Sequence, residues 1–164
     1  MTEQNPLQKY YRQPAIYIKL PSKGRFYSPE VFEPTTSGEI PILPMTAKDE
    51  LHFKTPDAMM NGQATVDVIK SCVPNIKDPW HVVNYDIDTI LLAIRIATYG
   101  ETMDLKYNVP ITGEQNEHTL NLPALLEDLS RVDIKDQATT SKGFTIVMEP
   151  LNYQKLTKVY LANY

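Results

Sequence analysis

The chain has 164 residues, a net charge of −4 and a single cysteine, Cys72. That length suits one domain able to bury roughly 70% of its unfolded surface. An internal disulfide is excluded, and the acidic balance gives no electrostatic pull towards nucleic acid.

Apolar residues make up 42% and charged residues 22%, as in ordinary globular proteins. The longest apolar run, Ile90 to Ala97, is broken by Arg95 and is too short to cross a membrane. The first residues are polar and lack the apolar heart of a signal peptide. The lone cysteine fits a reducing compartment, so a cytoplasmic setting is expected.

Residues 1–13 read as a flexible or docking tail. Residues 14–164 read as one domain in four stretches. Short strands fill 14–45, a helical core 46–100, a hairpin 101–122, and a helix–strand–helix stretch 123–164. Ile16, Ile18 and Leu20 alternate with Tyr17 and Lys19, which predicts a strand. Pro21-Ser22-Lys23-Gly24 predicts a turn, and Arg25-Phe26-Tyr27 a short second strand. Ile40 and Ile42 flank Pro41, so the strand there is short and at an edge.

Thr46, three residues before Asp49, predicts a capping box opening a helix from Ala47 to Phe53. Thr55-Pro56-Asp57 opens another, which Asn61-Gly62 stops. Thr65 is the expected cap of a third, with Val66, Ile69, Cys72 and Val73 on one face. Trp80, in the next connection, is expected to fill a groove between helices. The central helix is read over 86–100, with Ile87, Ile90, Leu91, Ile94 and Thr98 at helical spacing and further apolar residues between them. A helix apolar nearly all round is buried on most faces. Asp86 suits its start and Gly100 its exit.

After Gly100 the period becomes two. Met103, Leu105, Tyr107 and Val109 predict a half-buried strand, and 119–122 a return strand. Leu105, Tyr107 and Leu122 are expected to pack that hairpin. Pro123 opens a helix to about Leu129, with Leu125, Leu126 and Leu129 on its apolar side. Residues 133–143 show no periodicity, and Phe144, Ile146 and Met148 predict a strand. Asn152 caps a last helix bearing Tyr153, Leu156, Val159 and Tyr160, still running at Tyr164, which leaves a longer natural chain open. The fold class is α+β: a helical middle around one buried helix, with short antiparallel strands and hairpins at both ends.

The chemistry is spare. No phosphate-binding glycine loop, zinc-protease helix or nucleophile elbow is written in the sequence. His52, His81 and His118 lack ligand-like spacing. Asp86 and Asp88, two positions apart on a helix, do not face one another. Cys72, beside Ile69 and Val73, reads as a small buried apolar residue. Lys19, Lys23 and Arg25 interleave with Tyr17, Phe26 and Tyr27, a pattern that could bind single-stranded nucleic acid. The acidic balance favours an exposed turn or a protein interface instead. No catalytic residue, cofactor or metal is expected.

Several short stretches carry a family resemblance over about residues 16–160. They are Leu20-Pro21-Ser22-Lys23-Gly24 with Tyr27, Gly38, Met45-Thr46-Ala47-Lys48-Asp49-Glu50, Thr55-Pro56-Asp57-Ala58, Asn61-Gly62, Val68-Ile69-Lys70-Ser71-Cys72-Val73, and Ile90 to Gly100. In order and spacing the set resembles the T-even-like baseplate hub subunit and hub assembly family of contractile-tailed phages. Many members of that family carry a Cys-Pro-x-Cys-Gly knuckle after the following strand. Here Val109-Pro110-Ile111-Thr112-Gly113 stands in its place, and without thiolates a soft-ligand zinc site is not credible.

The resemblance implies a late phage protein that builds the baseplate hub by surface complementarity, as a permanent subunit or as an assembly chaperone. Its partners would be other hub proteins, and the tape measure or central spike. It would meet them in the host cytoplasm during assembly and could remain in the virion's tail baseplate. No nucleic acid and no membrane are expected as partners. The competing reading is a small nucleic-acid-binding module derived from a zinc-knuckle protein. Tyrosine and arginine dominate interface energetics, and proline lowers the entropy a loop loses on docking. On that ground Tyr10, Tyr11, Arg25 and Tyr27 are the expected partner-binding residues. The alternative for Tyr27 is internal packing.

Overall fold

In a computed structural model, residues 12–56, 61–110, 113–132 and 134–163 are described. The elements run β1 (Ile16–Ile18), β2 (Ile40–Ile42), α1 (Ala47–Phe53), α2 (Gln63–Cys72), a 3-10 turn (Pro79–His81) and α3 (Asn84–Tyr99). They continue with β3 (Thr102–Asn108), β4 (Gln115–Asn121), α4 (Leu122–Ser130), β5 (Gln137–Thr139), β6 (Thr145–Val147) and α5 (Tyr153–Ala162). The strands form three separate antiparallel pairs, β1–β2, β3–β4 and β5–β6. This is the α+β class expected.

The centre is α3. Ile87, Ile90, Ala93 and Ile94 are buried along it, and α2, α4, α5, β1 and β2 all pack on it. Gly100, at φ +94, ends it and donates its N–H to the Ile96 carbonyl at 2.9 Å. The core includes Ile18, Leu20, Ile40 and Ile42 from the strands, and Val68, Ile69, Cys72 and Val73 from α2 and the residue after it. β1 and β2 pair Ile16 with Ile42 and Ile18 with Ile40, leaving Pro41 opposite Tyr17. Both ends of each pair therefore point inwards, as the period of two requires.

Local signals explain most boundaries. Thr46 and Asp49 form the expected capping box of α1. Asn121 caps α4 and Asn152 caps α5 through their side-chain oxygens. Trp80, in the 3-10 turn, stacks on Tyr153 of α5 with ring centroids 5.7 Å apart.

Six expectations need correction. Arg25–Tyr27 is no strand but the continuation of a turn. Lys23 and Gly24 both take positive φ, and the Arg25 and Tyr27 N–H groups bond back to Ser22 and Gly24. Helix α2 starts before Thr65, at Gln63, whose N–H bonds the Asn61 side chain at 2.9 Å. Gly62 supplies the turn at φ +79, and a Cβ there would stand 3.2 Å from the Tyr153 ring. Gly62 thus opens α2, while the helix expected from Thr55 to Asn61 falls mostly outside the described residues. Helix α3 starts at Asn84, ahead of Asp86, with no side-chain cap. The hairpin β3–β4 is not half-buried: Leu105 is 41% and Tyr107 51% exposed. Leu122, expected to pack that hairpin, is buried as the first residue of α4. The polar stretch 133–143 also contains a strand, β5.

Candidate partner-binding surfaces

The Pro21–Gly24 turn is fastened to α3 from inside. Asp86 is fully buried. Its Oδ1 accepts the Ser22 N–H at 3.0 Å, and its Oδ2 accepts the Ser22 and Tyr27 hydroxyls. The Tyr27 hydroxyl in turn accepts the Val83 N–H at 3.1 Å. Burial pushes the Asp86 carboxyl above its usual value, and the Ser22 and Tyr27 donors pull it only part of the way back. Burial and the neighbouring Asp86 likewise push the Tyr27 phenol up. An unpaired buried carboxylate is expensive, so Ser22 and Tyr27 are the counterparts that let Asp86 sit there. With every contact turned inward, the cluster is a fastening.

The expected partner-binding residues separate. Tyr10 and Tyr11 lie outside the described residues. Tyr27 is half-buried, its ring 5.6 Å from Phe32, so its packing is internal. Arg25 is exposed, donates to the Ile134 carbonyl at 3.0 Å, and lies over the Phe26 ring. It lines an open groove with Lys23 and Arg131, although Glu127 and Asp128 already face Arg131.

A second polar cluster joins α1 to α2. Asp49 accepts the Thr46 N–H at 2.7 Å, the Thr46 hydroxyl at 2.8 Å and the Ser71 hydroxyl at 3.0 Å, with the Arg12 guanidinium 3.5 Å away. Burial alone would raise its carboxyl; the Thr46 and Ser71 donors and Arg12 together hold it below its usual value. Cys72, fully buried beside this cluster, has its thiol pushed up to about 11 by burial and then by Asp49. His52 pairs with Asp67 and His81 with Asp78, both on the surface.

Sequence reasoning missed the largest candidate surface. Among the described residues, nineteen of the twenty-one buried apolar residues precede Gly100; Leu122 and Ile134 are the others. Of sixteen large hydrophobics that stay exposed, twelve follow Gly100. Phe144, Ile146, Val147 and Met148 form a run 44–73% exposed, and Val159, Tyr160 and Leu161 cover the outside of α5. The hairpins β3–β4 and β5–β6 pack chiefly within themselves. Alternation marked strands there, but alternation does not say whether another element covers one face.

A second surface lies on the opposite side of the sequence. Met45, Phe53, Leu91 and Ile94 wall a groove of about 250 Å³ between α1 and α3, with Glu50, Lys54, Arg95 and Tyr99 at its edges. The Arg95 guanidinium rests on the Tyr99 ring, 4.6 Å from its centroid. Its Nη1 is buried without a hydrogen-bond partner.

Comparison with known proteins adds one match. The family model described as T4 bacteriophage base plate protein matches residues 14–162. No curated protein and no solved structure matches. Among the described residues, no helix is long and apolar enough to cross a membrane.

Proposed function

This chain belongs to the T4 bacteriophage base plate protein family, and on that premise we propose that it builds the baseplate hub through protein–protein contacts. It acts as a structural subunit or as a hub assembly factor, and it turns over no substrate. The observation that carries this reading is the uneven burial of apolar residues. Among the described residues, nineteen of the twenty-one buried apolar residues precede Gly100, whereas twelve of the sixteen exposed large hydrophobics follow it. Large exposed apolar patches mark interaction sites on soluble proteins. A two-stranded hairpin is marginal by itself, and its open edges can accept a partner's strand. A baseplate partner packed over β5–β6 and α5 would supply the missing layer.

The partners in this reading are other hub proteins, with the tape measure and the central spike as further candidates. The meeting place is the host cytoplasm during tail assembly. Quantitative mass spectrometry of purified phage particles tests it. A fixed number of copies per tail supports a permanent subunit. Absence from particles, together with recovery bound to hub proteins in infected-cell lysate, supports a departing assembly factor. Absence from both would refute the hub role.

A further inference from the structure

We propose that the groove between α1 and α3 seats one apolar side chain of a protein partner, flanked in that partner by a carboxylate that pairs with Arg95. This deepens the reading of the chain as a partner-binding baseplate protein and rests on it. The walls supplied by Met45, Phe53, Leu91 and Ile94 are apolar, and the space of about 250 Å³ falls below the usual range of small-molecule pockets. A single anchoring side chain fits that size better than a cofactor does, and such anchors dominate interfaces.

The choice of a carboxylate follows from the charges. Arg95 lines the groove and has no ion-pair partner among the described residues. The Tyr99 ring offers it a π-face but no lone pair. Lys54 stands on the same groove with no ion-pair partner among the described residues. Glu50, the acidic residue of the lining, stands at the Tyr99 hydroxyl. Two cations face one occupied anion, so the groove has positive charge to spare although the whole chain is acidic. A carboxylate beside the anchor would pair with the part of the Arg95 guanidinium that lines the groove, a charge-assisted contact stronger than a neutral hydrogen bond. Tyr99, half exposed at the rim, could close over the occupant.

The test uses the full chain and fluorescein-labelled heptapeptides with one phenylalanine between two glutamates, two glutamines or two lysines. Anisotropy gives affinity, and methyl resonances of Leu91 and Ile94 give location. The glutamate peptide should bind about tenfold or more tightly than the lysine peptide. It should shift both sets of methyl signals and lose about tenfold in affinity in Arg95→Met. Equal binding of the lysine peptide, binding that leaves those methyls unmoved, or no binding at about 1 mM peptide would overturn the proposal. So would self-association of the chain through this groove without peptide binding. The peptide comparison on the unaltered chain decides the matter even where Arg95→Met fails to fold. Because no phage component is involved, a negative result leaves the hub role to be decided by the particle measurement.

Discussion

Residues 14–100 and residues 101–163 have similar shares of apolar side chains to spend, and they spend them differently. In the first region strands, helices and turns converge on α3, and the buried carboxyls Asp86 and Asp49 are both hydrogen-bonded. In the second, α4 and α5 touch α3 while the two hairpins stand out from it. Hydrophobic stabilisation depends on area removed from water, so the same residue types stabilise the first region and leave the second open to a partner. The consequence is a contrast: one region holds the fold, and the other carries twelve of the sixteen exposed large hydrophobics among the described residues.

The strongest way to break that comparison is to truncate matched side chains. Ile94 is 2% exposed and Ile146 51%. Ile94→Ala should cost about 2–5 kcal/mol, from lost burial plus an unfilled cavity. Half-buried Leu91→Ala should fall at the lower end of that range. Ile146→Ala should stay within about 0.5 kcal/mol of wild type. Urea unfolding measures all three. A cost for Ile146→Ala equal to that for Ile94→Ala would place β5–β6 inside the core and end the contrast.

Next in size is the fastening of the Pro21–Gly24 turn. Tyr27→Phe leaves the ring but removes the donor to Asp86 and the acceptor for the buried Val83 N–H. Leaving such groups unsatisfied should cost about 1–3 kcal/mol. An unchanged urea midpoint would show that water replaces the phenol and that the turn is not held from within.

Asp49 gives a smaller effect with a defined pH sign. Its folded-state carboxyl titrates below the ordinary value of 3.8. Its stabilisation is therefore present above that value and is lost as the pH falls through the folded-state value. Asp49→Asn should cost about 1 kcal/mol at neutral pH, as loss of a good capping contact does. The gap from wild type should close in acid. Asp86 runs the other way: its folded value is raised, so its contribution is greatest below the ordinary value and declines as pH rises above it. Stability of the two asparagine variants at several pH values separates the trends. A parallel pH dependence for both would contradict the different environments of the two carboxyls.

Local chemistry was legible in the sequence, and distant chemistry was not. The Thr46–Asp49 box and the Asn152 cap act within three residues, so their residue types announce them. The Ile87–Ile94 spacing gave the buried helix for the same reason. The partners of Asp86 lie 59 and 64 residues away, and an aspartate at a helix start already has a sufficient local explanation. That explanation hid the fastening, although Ser22 and Tyr27 belong to the stretch that carried the family resemblance. The Arg25–Tyr27 misreading has another cause. Gly24 marked the turn, but Lys23 gives no warning that it too takes positive φ. The groove at Arg95 was illegible because it needs α1 and α3 side by side. The exposure of the hairpins was illegible because alternation marks a strand without saying whether another element covers its apolar face.

The smallest expected effect on stability carries the most about function. The β5–β6 strands are three residues each and exposed throughout, so Phe144, Ile146 and Val147 contribute little burial to the isolated chain. Replacing all three by serine should leave the urea midpoint within about 0.5 kcal/mol of wild type. The same change removes most of the apolar surface a partner could cover there. A phage lacking the gene, supplied with the triple-serine chain, should then form fewer complete tails, and the variant should be depleted from hub complexes. A stable variant that supports normal tails would show this hairpin to be idle surface, and the assembly role would move to α5 or the β3–β4 edge. An unstable variant would show instead that the hairpin is packed, so that the two regions spend their apolar residues alike. Normal stability with failed assembly is the outcome that the contrast between the regions requires.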